Sequence, residues 1–410
     1  MSTPAPAKLE KPQVAVFTPQ LLAIGVGDKP GQFKTADDLW RFCVGECGVT
    51  GISMHTGMLD VQGLISNADA RHEFVEHYRK IGLQIVRLES HTDGQLASGN
   101  PVYWPRFKGF DPQAEARKHA SIQDIEKAAH ARIRDVLTLS QLLGINRHQT
   151  FCGGRDLPHH DQWSTLPRRL KHQALLFLAM QWEETLKHAT ACGVEIGFEI
   201  WHVMQTLQST MDIINMRNFL QSDEAKAATK VGLDVSHPDK EEDDTVTLVK
   251  DAVAADIIVP GHAKSAFFDR SVPGFRHRQH GLPFKDQAGK FATFGIFNPE
   301  TAALFGSVLW LEHARNPKGA WGVYEGECLF LQNVRQGLKV GTENIRRVVD
   351  NQPTVSYDEL KSGSGIEPWK GPNFESFADG NAPVRELLEM SDEEAAAFNE
   401  RAGEFGLPTV

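Results

Sequence analysis

Several marks of the large protein classes are missing from this chain of 410 residues. No apolar run approaches the length of a membrane span, so no transmembrane segment and no membrane partner are expected. The N-terminal stretch, MSTPAPAKLEKPQ, has no basic region followed by an apolar run and reads as a solvated lead-in instead of a signal peptide. Cysteine is sparse: the 5 present (Cys43, Cys47, Cys152, Cys192, Cys328) are odd in number and contain no CxxC pair. A reducing, cytoplasmic setting is the expectation. Cys43 and Cys47 lie four apart in an expected helix, but no nearby Cys or His completes a zinc set, so they read as small buried hydrophobes. Basic charge is short as well. The net charge of -10, with Lys and Arg scattered, opposes a phosphate backbone and argues against a nucleic-acid partner. No GxGxxG follows the first strand-like run, no GxxxxGK[ST] or GxSxG occurs, and solenoid-type repeats are absent.

What is present is ordinary folded-protein composition, 41% hydrophobic and 23% charged residues, arranged in one recurring grammar. A helix-ending glycine is followed each time by a strand-like run: Gly48 by VTGISMH, Gly82 by LQIVRLESH, Gly144 by INRHQTFCGG and Gly193 by VEIGFEIWH. The run VAVFTPQLLAIGV (Val14 to Val26) reads as the first strand and its following loop. TADDLWRFCVGECG reads as a helix capped by Thr35, with Asp37 and Asp38 in its first turn. Further helices are expected at Ala68 to Ile81, Ser121 to Leu143 with a Ser121/Asp124 capping box, Leu166 to Cys192, Leu207 to Ala227, and from Pro299 to Arg315. KVGLDVSH, DIIVPGHAK and AWGVYEGE supply the last strands.

Eight strand candidates alternating with helices point to an α/β fold, a (β/α)8 TIM barrel, in preference to an open doubly wound sheet. The expected organisation is a flexible lead-in over 1–13, a TIM-barrel catalytic domain over 14–350 and a C-terminal extension over 351–410, with Ser391 capping a final acidic helix. Ser265 to Phe297 is too long and too rich in Gly, Arg and His for a simple connection, and reads as a functional loop over the barrel mouth after strand 7.

Three of the runs end in residues that bind cations or move protons: Glu199 and His202 in GFEIWH, Asp234 and His237 in VGLDVSHP, His262 and Lys264 in IIVPGHAK. The C-terminal ends of parallel barrel strands converge on one face, so Glu199, Asp234, His262 and Glu325, ending the fifth to eighth strands, form one constellation. Three carboxylates and an imidazole suit one divalent ion, Mn²⁺ first, with Mg²⁺, Co²⁺ or Zn²⁺ as alternatives. Packing such charges together without a cation would cost several kcal/mol. His55 and His91 end the second and third strands. Trp104, Trp163, Trp201 and Trp321 are candidates for stacking on a sugar ring, Trp201 because it alternates with Glu199.

EIWH, DVSHP, HAK and YEGE, in this order, resemble the xylose isomerase-like TIM-barrel superfamily, which includes ketose epimerases, inosose dehydratases, hydroxypyruvate isomerases and endonuclease IV. The resemblance implies that Glu199, Asp234, His262 and Glu325 hold one divalent metal and that Glu199 and Glu325 act as acid and base on opposite faces of a substrate. It implies substrate-binding roles for His237, His202, Lys264 and Arg270 or Arg276. His277 and His280, in the long insertion, and Trp201, His55 and His91 are further substrate-facing candidates. The expected function is a metal-dependent sugar isomerase or epimerase working through a metal-stabilised enediolate. The alternatives are a lyase or dehydratase acting on a keto-sugar, cyclitol or oxidised glycoside, an endonuclease IV-like nuclease, and a metabolite-binding barrel without catalysis. Against the nuclease stand AKS after His262 and the net charge of -10. A small carbohydrate or cyclitol substrate and a homo-oligomeric state are expected.

Overall fold

The computed structural model describes residues 10–28, 32–99, 120–154, 168–200, 205–241, 244–268, 289–296, 299–326, 334–356, 359 and 392–404. Its parallel sheet takes the strands β1 (Gln13–Phe17), β2 (Gly51–His55), β3 (Gln84–Glu89), β4 (Arg147–Thr150), β5 (Glu195–Glu199), β6 (Thr229–Leu233), β7 (Ile258–Pro260), β8 (His262–Ala263) and β11 (Trp321–Tyr324). Each of β1 to β6 pairs in parallel with its successor, and β1 pairs with β11. The ring closes through one residue, Gly261. Upstream of it β7 pairs with β6, and downstream β8 pairs with β11. A Cβ at Gly261 would lie 2.5 Å from the Leu233 carbonyl oxygen, so only glycine lets the backbone pass from one neighbour to the other. The result is a TIM barrel with helices around it.

The helices follow from local sequence. Ala36–Cys47 begins where the Thr35 side chain accepts from the Asp38 amide, and Ile122–Leu143 begins with the capping box of Ser121 and Asp124. Ala36–Cys47, Ala68–Ile81 and Ile122–Leu143 stop at Gly48, Gly82 and Gly144, whose φ values of 58°, 102° and 72° are left-handed and cost a glycine little. The strands are buried on both faces, as parallel strands under a jacket of helices must be.

Two expectations are corrected. The segment after β1 is not a loop: Thr18–Gly25 is helical, because Pro19 presets φ at its first turn and Leu21 buries against the core. Leu207 to Ala227 is two helices, Thr210–Phe219 and Asp223–Ala228, each with its own serine cap, Ser209 and Ser222. The long insertion after β8 opens and closes as an antiparallel ribbon of β9 (Ser265–Phe268) with β10 (Gly289–Ala292); residues 269–288 lie outside the described residues, as do Ser391 and most of the C-terminal extension. Among the described residues no helix is long and apolar enough to cross a membrane.

Candidate metal centre

The four strand-end residues singled out in the sequence meet at one point inside the mouth of the barrel, and all are buried. His262 is the hub. Its Nδ1 lies 3.2 Å from Glu199 Oε2, 3.2 Å from Glu325 Oε2 and 3.9 Å from Asp234 Oδ2. Donor atoms that share one ion at bond lengths of about 2.1–2.2 Å stand about 3–4 Å from one another, so this spacing fits a single divalent cation. Oδ1 of Asp234 is fixed by the amide (2.8 Å) and hydroxyl (2.6 Å) of Ser236, while its buried Oδ2 is turned toward His262 Nδ1 with the Lys264 ammonium beside it. A carboxylate oriented by one oxygen with the other turned inward is what a cation ligand requires. Glu199, Asp234 and His262 present one donor atom each within 4.8 Å of one another. The donor set therefore fits a hard or borderline divalent ion.

Each carboxylate is aimed by neighbours. Glu199 Oε2 accepts from Gln149 Nε2 at 2.6 Å and lies 3.1 Å from His91 Nε2, and its Oε1 is 3.2 Å from His237 Nδ1. Glu325 Oε1 accepts from Gln20 Nε2 at 2.6 Å, and its Oε2 is 2.7 Å from the Lys264 ammonium, which is also 3.2 Å from Asp234 Oδ2. Burial alone would raise the Glu199 carboxyl, but the charge of His237 and the hydrogen bond and charge of His262 hold it well below the usual carboxylate range. Burial pulls His262 down, and the carboxylates of Glu89, Glu325 and Glu199 overcome it and lift the imidazole well above its ordinary value. His237, chiefly through burial, is pushed down.

Of the expected substrate-facing residues, His237, Lys264 and His91 border this cluster. His55 stands one step out: its ring stacks on His91 at 6.2 Å, its Nδ1 accepts from the Gly57 amide at 3.1 Å, and burial pushes it down to about 4. Trp201, His202, Arg270, Arg276, His277 and His280, with Trp104 and Trp163, lie outside the described residues. Trp321 is corrected. It begins β11, at the other end of that strand from Glu325, and is buried in the interior with Ala15, Phe17, Val86 and Val323.

Sequence reasoning missed Glu89, Arg87, Ser53, Gln149 and Gln20. Glu89 ends β3 two residues before His91, and its Oε2 sits 2.8 Å from His262 Nε2. A signal existed: Arg87 and Glu89 are alternate residues of one strand, so both point to the same face, and charges at i and i+2 on a barrel strand belong either to solvent or to a site. Gln149 carries no charge and left no such trace; its Oε1 is buried without a hydrogen-bond partner at the edge of the cluster.

No protein-family model matches the chain, and no curated protein does. Solved structures do. A protein assigned as a xylose isomerase from Rhodospirillum rubrum superposes with a TM-score of 0.50 at 11% identity, covering 82% of this chain and 98% of the other. A xylose isomerase-like TIM-barrel protein from Mycobacterium smegmatis, in complex with magnesium, gives 0.46 at 12% identity over 83% and 97%. The 3-keto-D-glucoside 4-epimerase of E. coli gives 0.46 at 12% identity over 80% and 98%. At 11% identity the first of these likenesses shows the fold alone, a TIM barrel.

Proposed function

We propose that this barrel, sharing the xylose isomerase-like fold, is a divalent-metal-dependent isomerase or epimerase of a sugar or sugar derivative. The observation that carries this reading is the convergence of buried oxygens of Glu199, Asp234 and Glu325 on Nδ1 of His262. A divalent ion, when bound there, polarises the adjacent oxygens of a hydroxy-ketone and acidifies the C–H between them.

The chain's own residues supply the rest. Glu199, aimed by Gln149, His91 and His237, is the carboxylate assigned to accept a proton from carbon. Glu325, fixed by Gln20 on one oxygen and Lys264 on the other, is the counterpart that returns a proton. Return to the neighbouring carbon isomerises the sugar; return to the same carbon from the opposite side epimerises it. His91 and His237 hold Glu199 in place and line the approach to it. The donor set suits Mn²⁺, with Mg²⁺, Co²⁺ or Zn²⁺ as substitutes.

Lys264 favours a lyase as the second reading. Its ammonium, 2.7 Å from Glu325 and 3.2 Å from Asp234, stands where a departing β-hydroxyl would need a proton. A panel of keto-sugars, cyclitols and oxidised glycosides in deuterated water separates the outcomes. Metal-dependent deuterium incorporation without loss of water identifies the isomerase or epimerase; net loss of water or of an aglycone identifies the lyase. Absence of both with every member of the panel, in protein that binds a divalent ion, would contradict both readings.

A further inference from the structure

Glu89 is a fully buried carboxylate that the proposed chemistry does not use. Both of its oxygens are taken. Oε1 accepts from Arg87 Nε at 2.9 Å and from the Ser53 hydroxyl, and Oε2 faces His262 Nε2 at 2.8 Å. The same guanidinium donates from Nη1 to the Pro260 carbonyl at 3.0 Å and from Nη2 to the Gly261 carbonyl at 3.2 Å. Arg87 thus grips both the carboxylate behind His262 and the backbone that leads into it.

We propose that Glu89, backed by Arg87 and Ser53, is the positioning residue that keeps the ring proton of His262 on Nε2 and leaves Nδ1 as the lone pair aimed at the cation. The proposal rests on the metal reading above. An imidazole has two nitrogens, and the one that ligates is set by the hydrogen bond the other makes. Here the two sides of the ring differ. Nδ1 faces Glu199, Asp234 and Glu325, whereas Nε2 faces a carboxylate with no oxygen to spare.

A competing arrangement is a second cation held by Glu89, His91 and His262, which also bring one donor atom each within 4.8 Å. The partners of Glu89 argue against it. An ion there would have to displace His262 Nε2 from Oε2, since Oε1 already accepts from a guanidinium and a hydroxyl.

Glu89→Gln tests the tautomer with almost no change of shape. Arg87 Nε can only donate, so it recruits the amide oxygen, and the amide NH₂ is left facing Nε2. Nε2 must then accept, which moves the ring proton to Nδ1, the metal-facing atom. Calorimetric titration with Mn²⁺ is expected to show E89Q binding about 10- to 100-fold more weakly than the unmodified protein. The far-UV circular dichroism and melting temperature of the metal-free variant should be unchanged. Binding within twofold of the unmodified protein would overturn the proposal, whereas failure of the unmodified protein itself to bind Mn²⁺ would overturn the metal reading on which it rests. Should E89Q not fold, ¹⁵N-histidine NMR of the unmodified, Mg²⁺-loaded protein decides the matter. A His262 proton on Nε2 supports the proposal, and a proton on Nδ1 overturns it.

Discussion

The two ends of the barrel hold buried charge in opposite ways. At the base, where the strands begin, Arg147 reaches both Glu195, at 2.5 Å, and Glu312, while Lys230 lies 3.4 Å from the second oxygen of Glu195. Arg315 pairs with Asp256 at 2.7 Å and donates to the Ile258 carbonyl. Cations and carboxylates match in number there. At the mouth, four carboxylates (Glu89, Glu199, Asp234 and Glu325) share two permanent cations, Arg87 and Lys264, and stand against the imidazoles of His91, His237 and His262, the last of which faces all four. That surplus is what lifts the His262 imidazole well above its ordinary value. The base is built to be neutral and stay closed; the mouth carries negative charge that a divalent ion would neutralise.

Substitutions at the two ends should therefore have opposite signatures. The largest effect belongs to the mouth. Glu325→Gln should lower turnover about 10³-fold by removing a proton-transfer group, as read by metal-dependent deuterium exchange on the responsive sugar. Its metal-free melting temperature should not fall, because one of several like charges is gone. The base should behave the other way. Arg147→Met leaves Glu312 buried without its guanidinium and should cost about 3–5 kcal/mol in chemical denaturation, with Mn²⁺ affinity unchanged. A base substitution that weakened metal binding, or a mouth substitution that unfolded the protein, would break the contrast.

A group belonging to neither end sharpens it. His130 lies between the helices Ile122–Leu143 and Arg168–Ala191, with Nδ1 2.9 Å from Thr185 Oγ1 and Nε2 3.1 Å from the Ala97 carbonyl. Burial pushes it down to about 4. Its folded value is below its unfolded one, so the unfolded chain binds the extra proton as pH falls from about 6.5, and stability is lost progressively down to about 4. The loss at this one site should be about 3 kcal/mol, and His130→Gln should remove that share of the acid sensitivity in urea titrations at pH 7 and pH 4. Smallest of all, Ser121→Ala breaks a capping box on the outer helix ring and should cost about 1 kcal/mol with no effect on metal binding.

The same contrast explains what could be read from sequence. Helix boundaries were legible because Thr35, Ser121, Gly48, Gly82 and Gly144 act on their own neighbours, and the strand count fixed the barrel. The ligand candidates Glu199, Asp234, His262 and Glu325 were legible as a set once the strand ends were placed on one face. The segment 18–25 was read as a loop because an apolar run of 8 residues directly after a strand carries too little polar alternation to mark a helix face. Trp321 was misplaced because a tryptophan in a strand run looks the same in sequence whether it faces a ligand or fills the barrel interior. Glu89 and Gln149 were invisible for a different reason. Their significance lies in contacts with His262 and Glu199, 173 and 50 residues away, which no local pattern encodes.

Diffraction from crystals grown with Mn²⁺, with data at the manganese edge, tests the central claim most directly. The account predicts one anomalous peak per chain, about 2.0–2.4 Å from oxygens of Glu199, Asp234 and Glu325 and from Nδ1 of His262, with Nε2 still on Glu89. A mouth without a peak, or a peak bound through Glu89 and His262 Nε2 instead, would contradict it.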